Sequence, residues 1–289
     1  MGRKSIGQLK SPPLDRDVTQ SAEPLLSGFM FETKAQAKVE DRKRRKALKR
    51  LASRPKSKRS GLKKRDLLSV ARNIRDKGAA SSSRYMREHR HRIINAVYEL
   101  AGGSGEDLIF ITLIPFGFRY SGGKLRNAEA AKLLERIRQV LLRYGAGDRK
   151  GWLIGFLDGE FEPESKVFVL HFHALATKNY AEVLSRARKG KLFRSQREAC
   201  DQRVRSPIRI NKNLTNLPRL TGYLAKSFWP ERFRTVTPTG SSIHERRKRR
   251  IGEPFHSEYL MWLDRYQIQD LCLTLGLNVS QNGSLSTTI

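Results

Sequence analysis

Two histidines one residue apart, His171 and His173, stand in the apolar stretch Val167-Phe-Val-Leu-His-Phe-His-Ala-Leu-Ala176. Its β-branched and aromatic content is that of a buried strand. On a strand, residues i and i+2 project to the same face, so the two imidazoles stand side by side and Phe172 points into the opposite layer. Two rings so placed can share one metal ion. The chain contains its own control: His89 and His91 have the same spacing in Arg-Glu-His-Arg-His-Arg, but on a predicted helix. There i and i+2 do not share a face, and the pair reads as part of a basic surface.

A third ligand is expected from the neighbouring strand, where Asp158 and Glu160 are two apart and share a face. If Glu-Pro-Glu-Ser (162–165) is the whole turn, Phe161 pairs with Lys166 and Phe156 lies opposite His171. Both carboxylates then fall on the histidine face, with Asp158 the diagonal neighbour of His171 and Glu160 nearer the turn. The geometry favours Asp158; Glu160 stays open as the alternative. One carboxylate and two imidazoles leave coordination positions free for a phosphate oxygen.

The second reactive group is in Thr221-Gly-Tyr-Leu-Ala-Lys-Ser227. Tyr223 and Lys226 are three apart and share a side of a predicted helix. A phenol that titrates near pH ~10 is a poor nucleophile at neutral pH. A nearby metal and a nearby ammonium both favour its phenolate, as covalent catalysis requires. Lys226 could equally hold the scissile phosphate or the leaving oxygen.

Stepping outward, the apolar run 108–116 reads as a buried strand, and 127–144 as an amphipathic helix closed by Gly145. Segments 151–161 and 166–176 read as an antiparallel hairpin. Asn179 caps a helix to about Arg188. Then come a short strand over 207–211, a helix over Leu214–Phe228, and one or two closing helices over 257–276. This order gives the α+β class: a central antiparallel sheet with flanking helices. Helical spacing also runs from Arg84 to Leu100. Three parts are expected: a basic, partly disordered or helical N-terminal arm (1–95), the main domain (96–277) and a polar tail (278–289).

The ordered set Ile109–Pro115, His171-Phe-His173 and Tyr223-Leu-Ala-Lys226 resembles the three motifs of the HUH endonucleases. It is most similar to the single-tyrosine rolling-circle replication initiators of plasmids and small phages. The similarity spans about 108–228, and Phe110-Ile-Thr-Leu113 matches the first motif. What the resemblance implies is an HUH/Rep-type nuclease fold, with ligands on one sheet face and the tyrosine on a helix beside it. It also implies a metal, Mg²⁺ or Mn²⁺, and transesterification on single-stranded or extruded DNA at a replication origin. The tyrosine would form a 5′-phosphotyrosine and free a 3′-hydroxyl. By donor chemistry alone, two imidazoles would also accept Zn²⁺ or Ni²⁺.

The net charge of +30 points to a polyanionic partner. Residues 42–75 hold sixteen Lys or Arg and a single acid, Asp66, and read mainly as a solvated arm that adds nonspecific affinity. Further candidate DNA contacts are Lys124 and Arg126 in a Gly-rich loop, and the run Arg246, Arg247, Lys248, Arg249 and Arg250. Phe228 and Trp229 read either as core or as a stacking platform for an unpaired base. There is no apolar run near the ~18 residues of a membrane span, no secretory signal and no paired cysteine motif, which fits a cytoplasmic protein. No phosphate-binding Gly-rich loop of the helicase type is present, so a host helicase is an expected partner. Two other readings remain: a single-strand DNA transposase or relaxase of the same superfamily, and a noncatalytic basic nucleic-acid-binding protein.

Overall fold

A computed structural model describes residues 23–24, 30–103, 107–194, 207–212, 214, 217–224, 226, 228–236, 242–244, 249–279 and 285–287. Cys200 and the basic residues Arg246, Arg247 and Lys248 lie outside the described residues.

The frame of the molecule is a long hairpin. β3 (Leu153–Glu162) and β4 (Val167–Thr177) pair antiparallel along their whole length. β1 (Leu108–Leu113) lines the other edge of β4, and β5 (Ile208–Asn211) continues the sheet beyond β1. β2 (Arg119–Ser121) pairs with the turn-proximal end of β4. On the far edge of β3, β6 (Pro230–Glu231) runs parallel to it at Phe161, and β7 (Arg249–Arg250) adds to β6. The same edge receives β8 (Cys272–Leu275), antiparallel to residues 153–156. The class is α+β as expected. The sheet is mixed, not antiparallel throughout, because β6 enters alongside β3 in the parallel sense.

The hairpin register differs from the sequence expectation. The turn is 163–166: Lys166 takes a left-handed backbone (φ 52°) and its amide donates to Pro163 O at 3.3 Å. Phe161 therefore faces Phe168, Asp158 faces His171 and Phe156 faces His173. The shift is two residues, and side chains alternate with period two, so no residue changes face. Asp158 becomes the direct partner of His171 instead of its diagonal neighbour.

Two other stretches depart from expectation. The closing segment is α-helical over Phe255–Leu263, with a single 3-10 turn at Gln269–Leu271. Leu273 and Leu275 are buried while Cys272 and Thr274 are half-exposed, a period-two pattern, and this part completes the sheet. Leu277–Val279 then pairs antiparallel with Leu285–Thr287, within the expected polar tail. The tyrosine helix is shorter than expected, Leu217–Leu224, so Lys226 lies beyond its end.

The basic segment before the sheet is ordered. α1 (Lys34–Ala52) starts with a reciprocal cap: the Gln36 amide donates to Thr33 Oγ1 at 3.1 Å, and the Thr33 amide donates to the Gln36 side chain at 2.7 Å. α1 buries Leu48, Leu51 and Ala52, and α2 (Lys64–Asp76) buries Leu67, Val70, Ala71 and Ile74. Both join the main hydrophobic core. A purely solvated arm is thus the wrong picture for residues 34–76; an apolar stripe hidden among many cations docks them. α3 (Ser83–Gly103) follows. Asp41 of α1 caps its start, accepting from the backbone amides of Ser83 at 2.5 Å and Arg84 at 3.4 Å, and it also accepts from Ser82 Oγ and Arg84 Nε, both at 2.9 Å.

Candidate metal and tyrosine site

The β3–β4 face formed by Phe156, Asp158, His171 and His173 carries the site. Asp158, His171 and His173 are all buried. Nε2 of His171 lies 3.3 Å from Asp158 Oδ2, and Nε2 of His173 lies 3.4 Å from the same oxygen. Donors held ~2.0–2.2 Å from one shared ion stand roughly 3.0–3.5 Å apart; both nitrogens meet that spacing from Asp158 Oδ2, and all three atoms lie within 4.8 Å of one another. They are the one such cluster among the described residues. Asp158 is fixed by its second oxygen, which accepts from the Gly159 amide at 2.8 Å.

The neighbouring strand orients His173. Thr112 faces His173 across β1–β4, and its Oγ1 is 3.0 Å from Nδ1. A histidine ligating through Nε2 carries its proton on Nδ1 and can donate it to this hydroxyl, which fixes the tautomer and the ring angle. Phe110, two residues back on the same face, stacks on His173 with centroids 5.7 Å apart. Neither Thr112 nor Phe110 was assigned a role from the sequence. Strand parity carried the signal, because residues 110 and 112 share the face that meets the histidines.

Tyr223, from the short helix Leu217–Leu224, packs edge-on against His173 at 4.9 Å between ring centroids. Lys226 lies over the Tyr223 ring, its Nζ 4.0 Å from the centroid. The ammonium is ion-paired with Asp158 Oδ2 and stands 3.5 Å from His173 Nε2. Five sequence-selected residues therefore meet in one place: Asp158, His171, His173, Tyr223 and Lys226.

The charges are internally balanced. Burial opposes ionisation of Asp158, but the Lys226 charge, with the two imidazoles beside it, holds its carboxyl well below the usual range. Burial, then the Lys226 charge, pushes His173 well below its ordinary value, which keeps the ring neutral and able to ligate. Burial also works against the charge on Lys226, and the carboxylate outweighs it. Lys226 and Asp158 thus offset each other's charge within the buried cluster.

Other sequence candidates fall elsewhere. Glu160 shares the face but pairs with Arg232 at 2.6 Å and lies outside the cluster, so of the two carboxylates it is Asp158 that meets the histidines. Phe228 and Trp229 are buried; Trp229 packs against Tyr259 and Trp262, both at 5.0 Å, so the base-stacking reading is overturned in favour of core. Arg250 is half-buried and tied to α1, with Nη1 and Nη2 at 2.8 and 2.6 Å from the Glu40 carboxylate. Arg249 is exposed and lies over the Phe233 ring at 4.5 Å. Lys124 and Arg126 are exposed.

The fold and site define an α+β protein with a buried Asp-His-His cluster on one sheet face and a tyrosine and lysine beside it. No protein-family model, curated protein or solved structure matches the chain. Among the described residues no helix is long and apolar enough to cross a membrane.

Proposed function

We propose that the chain is a DNA nicking-and-joining endonuclease of the HUH type, acting as a replication initiator. The observation that supports it is the packing of Tyr223 on His173, itself part of a three-donor cluster with Asp158 and His171. A metal site with a tyrosine packed against one of its ligands suits transfer of a phosphodiester to the phenol.

Asp158, His171 and His173 would hold a divalent cation, Mg²⁺ or Mn²⁺, which would supply positive charge to a non-bridging oxygen of the phosphodiester. Tyr223 Oη forms the new bond to phosphorus as the bond to the 3′ oxygen breaks. The phenol gives up its proton, and the departing oxygen takes one up to become a 3′-hydroxyl. The product is a 5′-phosphotyrosine that conserves the bond, so reversal by a 3′-hydroxyl rejoins the strand without a nucleotide. Lys226, over the tyrosine ring, stabilises negative charge on the phenolate or on the phosphate. Thr112 holds His173 in its ligating tautomer.

The test is a denaturing-gel assay with Mn²⁺ on single-stranded DNA from the gene's own replicon, comparing wild type with Tyr223→Phe. Site-specific cleavage that leaves protein on the 5′ end, lost in the variant and in EDTA, is expected. DNA that is shifted on native gels but never cut, across several metals and origin fragments, favours the noncatalytic binding protein instead.

A further inference from the structure

α1 turns both of its acids inward and most of its cations outward. At 100° per residue, its buried positions Ala37, Glu40, Asp41, Arg44, Leu48, Leu51 and Ala52 fall within an arc of about 120°. The exposed cations Lys38, Arg42, Lys43, Lys46, Lys49 and Arg50 fall on the opposite side, within about 140°, while Lys34 in the first turn lies at the edge of the buried arc. A surface helix of ordinary design would intersperse acids here to make i,i+4 pairs. Instead both acids of the helix turn inward. Glu40 is spent on Arg44 and Arg250, and Asp41 on Ser82 and Arg84.

The cationic face is held rigidly from beneath by the buried leucines, and it continues along the chain. The helical turn Lys56–Arg59 follows, with Lys56 and Lys58 exposed. A side chain added at Gly123 would come 3.9 Å from Ser60 O, so the loop carrying the exposed Lys124 borders the same surface. From Lys34 to Lys77 the chain contains no Phe, Tyr or Trp. A binder of unpaired strands needs aromatic rings on which bases stack. A binder of duplex needs only fixed cations along phosphates.

We propose that the outer face of α1, with the turn that follows it, is a binding surface for the phosphate backbone of duplex DNA. The 19-residue helix spans about 28 Å, the rise of roughly eight base pairs. The face would anchor the duplex that flanks a single-stranded substrate. The inference rests on the reading that the chain works on DNA, but not on the tyrosine chemistry.

The experiment measures binding of the full chain by fluorescence anisotropy, without metal, to a random duplex of about 20 base pairs and to an oligothymidine of equal length over a range of salt. Three proteins are compared: wild type, the triple variant Lys43→Glu, Lys46→Glu, Arg50→Glu, and a control triple on α4 (Ala130–Arg143), Lys132→Glu, Arg138→Glu, Arg143→Glu, with the same change in net charge. The α1 variant should weaken duplex binding at least about tenfold and lower the salt slope by about 2.7, three contacts at ~0.9 each. The control should cost far less, and the single strand should lose less than the duplex. A triple Lys43→Gln, Lys46→Gln, Arg50→Gln should give the same direction if the Glu variant folds poorly. Duplex affinity within about twofold of wild type in both α1 variants, or an equal loss in the α4 control, overturns the proposal. So does tighter binding to phosphatidylserine vesicles than to duplex. Failure here leaves cleavage by Tyr223 untouched, and absence of cleavage leaves this binding untouched.

Discussion

The ammonium of Lys226 is ion-paired with Asp158 and sits 3.5 Å from Nε2 of His173, close to where an ion shared by these donors would lie. The lysine is therefore the cluster's internal counter-ion, and a divalent cation must displace it from Asp158. Removing one partner of a buried ion pair costs about 3–5 kcal/mol, because the other charge is left uncompensated. Lys226→Met should unfold at lower temperature than wild type without metal and regain most of that loss with Mn²⁺. Its Mn²⁺ affinity by calorimetry should exceed that of wild type by about tenfold or more, about 1.4 kcal/mol. An unchanged or weaker affinity would show that lysine and metal do not compete.

The two candidate carboxylates separate by substitution. Asp158→Asn should abolish tight Mn²⁺ binding, because Asp158 is the carboxylate that meets both imidazoles. Glu160→Gln should leave the affinity near that of wild type, since Glu160 is occupied with Arg232. Isothermal titration of both variants decides between them. Loss of binding in Glu160→Gln with retention in Asp158→Asn would refute the assignment.

Thr112→Val keeps the volume but removes the hydroxyl 3.0 Å from His173 Nδ1. Groups that orient ligating histidines typically contribute 10–100-fold to metal affinity. A drop of about that size is expected, with Thr112→Ser restoring much of it, while far-ultraviolet circular dichroism stays unchanged. Equal affinities in the Val and Ser variants would mean the hydroxyl is incidental.

Glu40 links α1 to β7 through Arg250 and to its own helix through Arg44. Burial opposes its charge, but the two guanidiniums lower its carboxyl from 4.5 to about 2. A lowered folded-state value means stability that is complete above the unfolded value near 4.5 and lost as pH falls towards about 2. The contribution is on the order of 3 kcal/mol. Urea melts at a series of pH values should show wild type losing more stability than Glu40→Gln between pH 4.5 and 2, with the curves converging at the acid end.

Gly155 faces Ala174 across β3–β4. A methyl group there would come 2.5 Å from His173 O and 2.4 Å from the end of the Phe172 ring. Backbone oxygen cannot swing aside, so Gly155→Ala should push the strands apart beside the histidine pair. A loss of about 1–3 kcal/mol in denaturant midpoint analysis, with weaker Mn²⁺ binding, is expected. A variant with wild-type stability would mean the hairpin flexes freely at this point.

Much of the site was legible in local pattern. The His-Phe-His spacing on an apolar run dictates a shared face whatever the register, because side-chain alternation has period two. The same parity kept Asp158 on that face although the turn was misplaced by one residue and the partners by two. Turn placement was not legible: Lys166 adopts a left-handed backbone that a sequence rich in ordinary turn residues does not announce. The strand Cys272–Leu275 was read as helix because four residues satisfy either period, and only the open edge of β3 selects the extended form.

For the arm, composition dictated a strong affinity for polyanions, and nothing in composition revealed its docking. The buried stripe of α1 contains Glu40, Asp41 and Arg44 among its leucines, so it does not read as apolar. Those charges become tolerable only beside Arg250, Ser82 and Arg84, which are distant along the chain. Residue types and spacing thus set which chemistry the chain can support: two imidazoles on one face, a carboxylate opposite, a tyrosine and a lysine. Tertiary structure alone decided that Asp158 and not Glu160 meets both histidines, that Lys226 pairs with Asp158, and that Arg250 pairs with Glu40. Each depends on which distant charge comes within a few ångströms, and Coulomb energy in a buried site depends on that separation, not on distance along the chain.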